Sequence, residues 1–408
     1  MNIAEASRYR DRLERCLRFL PPFPENRYQG RGIVICGGGN YYFPCVWVCI
    51  RMLRRVGCRL PIELWYRGPH EMTDEMRALV EPYGVVCQDA FAISQQFPVH
   101  RLDGFEMKPY AIIHNRFAEV LYIDADNVVV RDPEYLFDSA LYLQTGSLFW
   151  PDVPTHTSLP WYLSEDAWEV LGLSFRHEPQ FESGQVVIDK RRCWRPMQLT
   201  MHLNEHSDYY YGLFYGDKDT FHVSWRRVGQ EYSMIPLPPR VLADHRVLIQ
   251  FDSAQRALFQ HRCNVKWTLA RRNSRIAGFL MEEECFALLE ELRAKWSGRT
   301  RSLPQEYSAA ERAVYDEFVS SGIVRCSVTG RSACELLFRP DLTLGMSDGL
   351  PWNGWRVETD KDSATILVLT DGDRPISFLR RKVEHIWQGY WRFGERLLVE
   401  LGHSDSVG

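Results

Sequence analysis

Short apolar runs alternate with helix-like stretches in the N-terminal part of this chain, and that alternation most narrows its fold. Gly32-Ile33-Val34-Ile35-Cys36 reads as a buried strand. A helix follows Gly37-Gly38-Gly39, with Pro44 near its first turn and Cys45, Cys49 and Leu53 along one face. Pro61 to Tyr66 is a second strand, and Asp74 to Tyr83 a second helix with Thr73 as N-cap. Val85-Val86-Cys87 is a third strand, Lys108 to Ala118 a helix, and Val120-Leu121-Tyr122-Ile123 a fourth strand. Such a β-α series predicts an α/β fold, a central and mostly parallel sheet flanked by helices. In open sheets of this kind ligands bind beyond the carboxyl ends of the strands.

That fourth strand runs directly into Asp124-Ala125-Asp126. Two carboxylates on a rigid strand end are what a hard divalent cation bridging a diphosphate requires. A solvated strand end with a turn carboxylate is the structural alternative. Asp-x-Asp is weak by itself, since it recurs at Asp217-Lys218-Asp219, Asp360-Lys361-Asp362 and Asp371-Gly372-Asp373. The last contains an Asp-Gly hairpin signal between strand-like runs. The glycine triplet has no phosphate-loop lysine, and Tyr42 breaks the GxGxxG dinucleotide fingerprint. A close backbone approach to a ligand at Gly37 and Gly38, or a plain tight turn, remains.

Further along, Val128-Val129-Val130 leads to Ser147-Leu148-Phe149-Trp150-Pro151-Asp152, Phe181 to Asp189 reads as a turn entering a strand, and Val247 to Phe251 and Ala257 to Gln260 read as strands, the last ending at His261. Cys193 to Glu205, Asp219 to Val228 and Glu282 to Trp296 read as helices. The expected domains are an N-terminal amphipathic helix (1–29), an α/β domain (30–296), a linker (297–304) and a small, mainly β domain (305–408). Arg8, Arg10, Arg12, Arg15 and Arg18 surround Tyr9, Leu13, Leu17 and Leu20 in the first helix. That pattern suits weak contact with an anionic membrane surface or a helix packed on the domain. Trp352, Trp355, Trp387, Tyr390 and Trp391 in the last domain could stack on a sugar acceptor or form an aromatic core.

Composition limits function. The net charge of −4 gives no basic surface for nucleic acid. There is no apolar run of membrane-spanning length and no signal-peptide core. The 11 cysteines are scattered, with no CxxC, and no Asn-x-Ser/Thr sequon occurs. Together these favour a reduced, cytoplasmic compartment.

Lys108-Pro109-Tyr110-Ala111-Ile112, Val120 to Asn127, Phe149-Trp150-Pro151-Asp152, Glu182-Ser183-Gly184-Gln185, Gly216-Asp217-Lys218-Asp219, and His261 with Lys266-Trp267 occur in one order and spacing. With them, the segment from Gly30 to about Trp267 resembles glycosyltransferase family 71, the alpha-mannosyltransferases typified by fungal Golgi α-1,3 enzymes. It is more distantly similar to retaining galactosyl- and glycogenin-type transferases. The resemblance implies a GT-A-type nucleotide-sugar domain and transfer of a hexose, mannose from GDP-mannose before UDP-sugars, to a glycan or other hydroxyl acceptor. It implies Mn2+ or Mg2+ on Asp124, Asp126 and His261. Lys266 would contact the diphosphate, and Lys108, Gly184 and Gln185 would line the donor. Asp152, Glu182, Asp217 and Asp219 are the implied catalytic carboxylates, Asp152 toward donor hydroxyls and the others as candidate nucleophiles. Glu182 stands where galactosyl relatives carry Asn, and Lys218 where Gln is common, which points to the mannosyl-type branch. A UDP-sugar transferase and a non-catalytic glycan-binding protein on the same fold are the alternatives.

Overall fold

The computed structural model describes residues 3–401, leaving aside 70, 103, 155–162, 215, 244–245, 270–272, 297, 299–306, 322, 329–332, 340–341, 343, 347–353, 360–362, 372–373 and 392–394. Most of the linker 297–304, Trp352, the Asp360-Lys361-Asp362 tripeptide, Gly372 and Asp373 lie outside the described residues. The chain forms two compact units. The first comprises Met1–Gly38, Tyr42–Thr268 and Asn273–Ser297, and the second Gly39–Tyr41, Leu269–Arg272 and Gly298–Gly408.

The first unit is built on strands β1 (Arg31–Cys36), β2 (Ile62–Tyr66), β3 (Val85–Asp89), β4 (Glu119–Asp124), β5 (Asn127–Val129), β6 (Ser147–Pro151), β7 (Phe181–Asp189), β8 (Ser233–Met234), β9 (Arg240–Leu242), β10 (Val247–Phe251) and β11 (Ala257–His261). The central sheet has the order β3-β2-β1-β4-β7-β6-β8. Its first four strands are parallel, as the β-α alternation predicts. Then β7 runs antiparallel to both β4 and β6. A separate four-stranded sheet, β5-β11-β10-β9, is antiparallel and was not anticipated as a layer of its own.

Local chemistry sets the helix limits. Thr73 accepts a hydrogen bond from Met76 N at 3.3 Å, capping the helix Asp74–Val80. Pro82 follows in a single 3-10 turn, so this helix is shorter than its pattern suggested. The helix Met107–His114 also stops early. Asn115 is extended there, and its Nδ2 donates to the carbonyls of Ala111 and Ile112, both at 2.8 Å, ending the helix from inside. The N-terminal helix Ile3–Arg18 buries Tyr9 and Leu13 in a cluster with Trp168, Leu199, Leu203 and Tyr210. Tyr9 and Leu13 therefore face protein, as a helix packed on the domain requires.

The second unit carries β12 (Ile323–Val328), β13 (Cys334–Phe338), β14 (Leu344–Met346), β15 (Gly354–Thr359), β16 (Thr365–Asp371), β17 (Arg374–Val383), β18 (Ile386–Trp391) and β19 (Glu395–Glu400). They form one antiparallel sheet ordered β14-β13-β12-β19-β18-β17-β16-β15. The helix Ala309–Ser320 lies on it behind a capping box formed by Ser308 and Glu311. Phe318, Phe338, Trp355 and Trp387 pack together beneath that helix. Trp355 and Trp387 are thus core residues, 1% and 0% exposed, and cannot stack on a sugar as entertained above.

Candidate functional site

The site sits where the chain passes from the central sheet to the smaller one. In β4, Tyr122 and Asp124 share a face because strand side chains alternate with period two. The Tyr122 hydroxyl donates to Asp124 Oδ1 at 2.7 Å. Pairing of Cys36 with Asp124 sets this carboxylate at the C-terminal end of parallel strand β1. Three residues later the chain is already in β5, where Asn127 pairs with His261 of β11. Arg262 N donates to the Asp126 carbonyl at 3.0 Å, locking the same crossing. Strand pairing thereby delivers a distant histidine to the acidic pair.

His261 Nε2 lies 3.1 Å from Asp126 Oδ1 and 3.9 Å from Asp124 Oδ2. The three side chains offer donor atoms all within 4.8 Å of one another. Two carboxylate oxygens and one imidazole nitrogen suit manganese or a similar divalent ion.

β7 passes beside this group, with Gln185 paired to Ile123. Asn127 Nδ2 donates to the Gly184 carbonyl at 2.7 Å. A Cβ on Gly184 would stand 2.6 Å from His261 Nδ1 and 2.9 Å from Glu182 Oε1. The space of a side chain at Gly184 is therefore filled by His261 and Glu182. Glu182 Oε1 accepts from Gly184 N at 2.8 Å and lies 3.3 Å from His261 Nδ1.

Lys108, in the first turn of its helix and 6% exposed at its side chain, reaches Asp217 Oδ2 at 2.7 Å and Asp124 at 3.3 Å. It also donates to Ser183 O at 2.9 Å and to Ser183 Oγ at 3.0 Å. The Ser183 hydroxyl in turn donates to Asp217 Oδ2 at 2.9 Å. The Lys108 ammonium thus orients Asp124 and Asp217. Lys266 forms an ion pair with Asp126 and donates to the Cys263 carbonyl at 2.8 Å. Lys218 pairs with Asp152, whose Oδ1 also accepts from Val153 N at 2.7 Å.

Asp219 is buried in the first turn of the helix Lys218–Val228, where its charge acts on Lys218. Gln185 is fully buried, and its Oε1 accepts from Asn127 Nδ2 at 3.4 Å. A Cβ on Gly37 would meet Val46 at 2.6 Å and Ala125 at 3.2 Å, and one on Gly38 would meet the Glu71 carbonyl at 2.6 Å. Both glycines make room for protein side chains and backbone. Tyr122, Ser183 and Asn127 were given no role from sequence. Tyr122 had a detectable signal, its strand-period spacing from Asp124.

Electrostatics follow from burial and neighbours. Burial raises the carboxyl of Asp126, but Lys266 and His261 override it and hold the group well below the usual range. Burial likewise works against ionised Glu182, and His261, Lys218 and Lys108 bring it down to about 2. For Asp124 burial dominates and, with the nearby Asp126, raises the group despite Lys108. Burial would discharge Lys108 and Lys266, yet Asp124 and Asp217 raise the first and Asp126 the second. The carboxylates of Asp124, Asp126, Asp152, Glu182, Asp217 and Asp219 outnumber the ammonium groups of Lys108, Lys218 and Lys266. That imbalance, with the donor set, fits an added divalent cation.

The family described as "Mannosyltransferase putative" matches residues 30–164 and 173–256. An alpha-1,2-mannosyltransferase of Candida albicans is 28% identical over 247 residues, which are 52% of this chain and 35% of that protein. One of Saccharomyces cerevisiae is 25% identical over 285 residues, 56% of this chain and 48% of that protein. Both are named for an α-1,2 linkage rather than α-1,3. The chain spans less than half the length of either relative. A crystal structure of the galactosyltransferase LgtC with donor and acceptor sugar analogues aligns with 65% of this chain and 100% of that chain, at 15% identity and a TM-score of 0.41.

Proposed function

The chain belongs to the mannosyltransferase family matched over residues 30–164 and 173–256, and on that premise we propose that it is a metal-dependent retaining glycosyltransferase moving mannose from GDP-mannose to a glycan hydroxyl. The observation that carries this reading is the convergence of Asp124, Asp126 and His261 where β4 leaves the sheet. Asp124, Asp126 and His261 would hold Mn2+ or Mg2+, and the bound ion would supply electrostatic neutralisation of a leaving diphosphate.

The chain's own groups have distinct tasks. Lys266, beside Asp126, adds positive charge where the departing diphosphate gathers negative charge. Lys108 and Ser183 fix Asp217, and Lys108 together with Tyr122 fixes Asp124, so the carboxylates are oriented before the donor arrives. Of the four carboxylates read as catalytic, Glu182 is best placed to face the reacting sugar. It stands against His261 and is held ionised at neutral pH, whereas Asp152 is paired with Lys218, Asp217 is bound by Lys108 and Ser183, and Asp219 is buried. An ionised carboxylate stabilises an oxocarbenium-like carbon, either by charge alone or as a nucleophile.

The test is nucleotide release from GDP-mannose, UDP-glucose and UDP-galactose with and without Mn2+, paired with melting curves in GDP and UDP. The expected result is Mn2+-dependent release and stabilisation with a preference for the guanine nucleotide, both lost in Asp126→Ala with the fold retained. A preference for UDP would move the donor to a UDP-sugar. Absence of any nucleotide effect, with or without Mn2+, would overturn the enzyme reading and leave a glycan-binding protein.

A further inference from the structure

A second group of ligand-type side chains is built from other residues. His202, Glu205 and His206 sit at positions i, i+3 and i+4 at the end of the helix Trp194–Glu205, a spacing that puts them on one face. Asp208 follows in the short helix Ser207–Tyr210, and His100 comes from the segment leading to the Lys108 helix. Donor atoms of His202, Glu205 and His206 lie within 4.8 Å of one another, and so do those of His100, His206 and Asp208. The imidazole of His206 is 4.7 Å from that of His202 and 4.8 Å from that of His100, centre to centre. Glu205 lies 3.8 Å from His202 Nδ1 and accepts from His100 N at 3.2 Å.

Two nitrogens in this group, His202 Nε2 and His206 Nδ1, are closed to solvent and have no hydrogen-bond partner among the described residues. An orphaned buried polar atom costs about 1–3 kcal/mol, so two of them on adjacent imidazoles ask for a common partner. Imidazole-rich sets with one or two carboxylates are the donor chemistry of zinc and its neighbours.

We propose that His202, Glu205 and His206, with His100 and Asp208 at the rim, form a second metal site for a zinc-class transition ion, independent of the Asp124–Asp126–His261 group. Its ligands come from two segments that also meet through the Ser207–Glu106 hydrogen bond. A bound ion would fasten His100 to the helix end.

The experiment uses the full chain carrying His261→Ala, stripped with chelator and titrated with Co2+ by visible absorption and with Zn2+ by calorimetry. One equivalent of either ion is expected, with ligand-field bands of nitrogen-rich coordination. Adding His202→Gln and His206→Gln should weaken binding by about tenfold or more, because two of the nitrogen donors are lost. His100→Ala, at an exposed position and so harmless to folding, should weaken it several-fold. No uptake by the His261→Ala protein would overturn the proposal. So would unchanged affinity in the His100→Ala and the folded double-Gln proteins.

Discussion

Replacing Gly184 with alanine adds one methyl group at the point where β7 and His261 come closest. The new carbon would stand 2.6 Å from His261 Nδ1 and 2.8 Å from its Cε1, with Glu182 Oε1 at 2.9 Å. Carbon contacts are comfortable near 3.5–4.0 Å, so about an ångström must be found. Glu182 can swing its carboxylate aside. The His261 ring cannot yield as easily, because its backbone pairs with Asn127 and its Nε2 is 3.1 Å from Asp126. Overpacking of this kind costs about 1–3 kcal/mol. We therefore expect Gly184→Ala to destabilise by that amount, and to lose Mn2+-dependent stabilisation by GDP because the imidazole is pushed off line. In a His261→Ala background the space is open, and the same methyl should cost under about 0.5 kcal/mol. The assay is a double-mutant cycle on urea midpoints, with Mn2+ binding followed by electron paramagnetic resonance. Equal costs in the two backgrounds would show that the clash with His261 is not the constraint on Gly184, and the geometric argument for the site would lose its footing.

Three other predictions address separate parts of the molecule. Lys266→Ala should lower turnover by about 10²–10³ while leaving Mn2+ affinity largely intact; turnover within a factor of three of the parent would remove Lys266 from the chemistry. His114 is lowered from 6.5 to about 3 by burial, Arg27 and Lys190, so between those values the unfolded chain binds the extra proton. Its contribution to stability is present above pH 6.5 and is lost as pH falls, by at most about 1.4 kcal/mol per unit, and His114→Phe should flatten the slope between pH 7 and 5; matching slopes in mutant and parent would count against it. Trp387→Ala should destabilise the C-terminal unit by about 3–5 kcal/mol, as large core truncations do, whereas an unchanged melting curve would return Trp387 to the surface.

The parallel half of the central sheet was readable because each buried strand is flanked by a helix of its own, and local patterning carries that information. The antiparallel insertion of β7 between β4 and β6 was not readable. Phe181 to Asp189 looks like any buried strand, and its direction depends on connections far from it in the chain. The smaller sheet was missed as a layer because β5 and β9 are each three residues long, too short to show a period. At the site, the acidic pair was legible from its strand. The adjacency of His261 to Asp126 came only through the family resemblance, since it depends on the long-range pairing of β5 with β11. The space left for protein at Gly37, Gly38 and Gly184, and the ion pairs of Lys108, were not readable because they depend on contacts far apart in the chain.

Asp124 closes a strand of one sheet, and Asn127 opens a strand of another. The acidic pair therefore straddles a mechanical joint. Any sliding of the small sheet against the large one alters the gap between Asp124 on one side and His261 on the other. An ion gripped by both would act as a rivet across that seam, beside the Asn127–Gly184 and Trp150–Phe251 hydrogen bonds that already join the two layers.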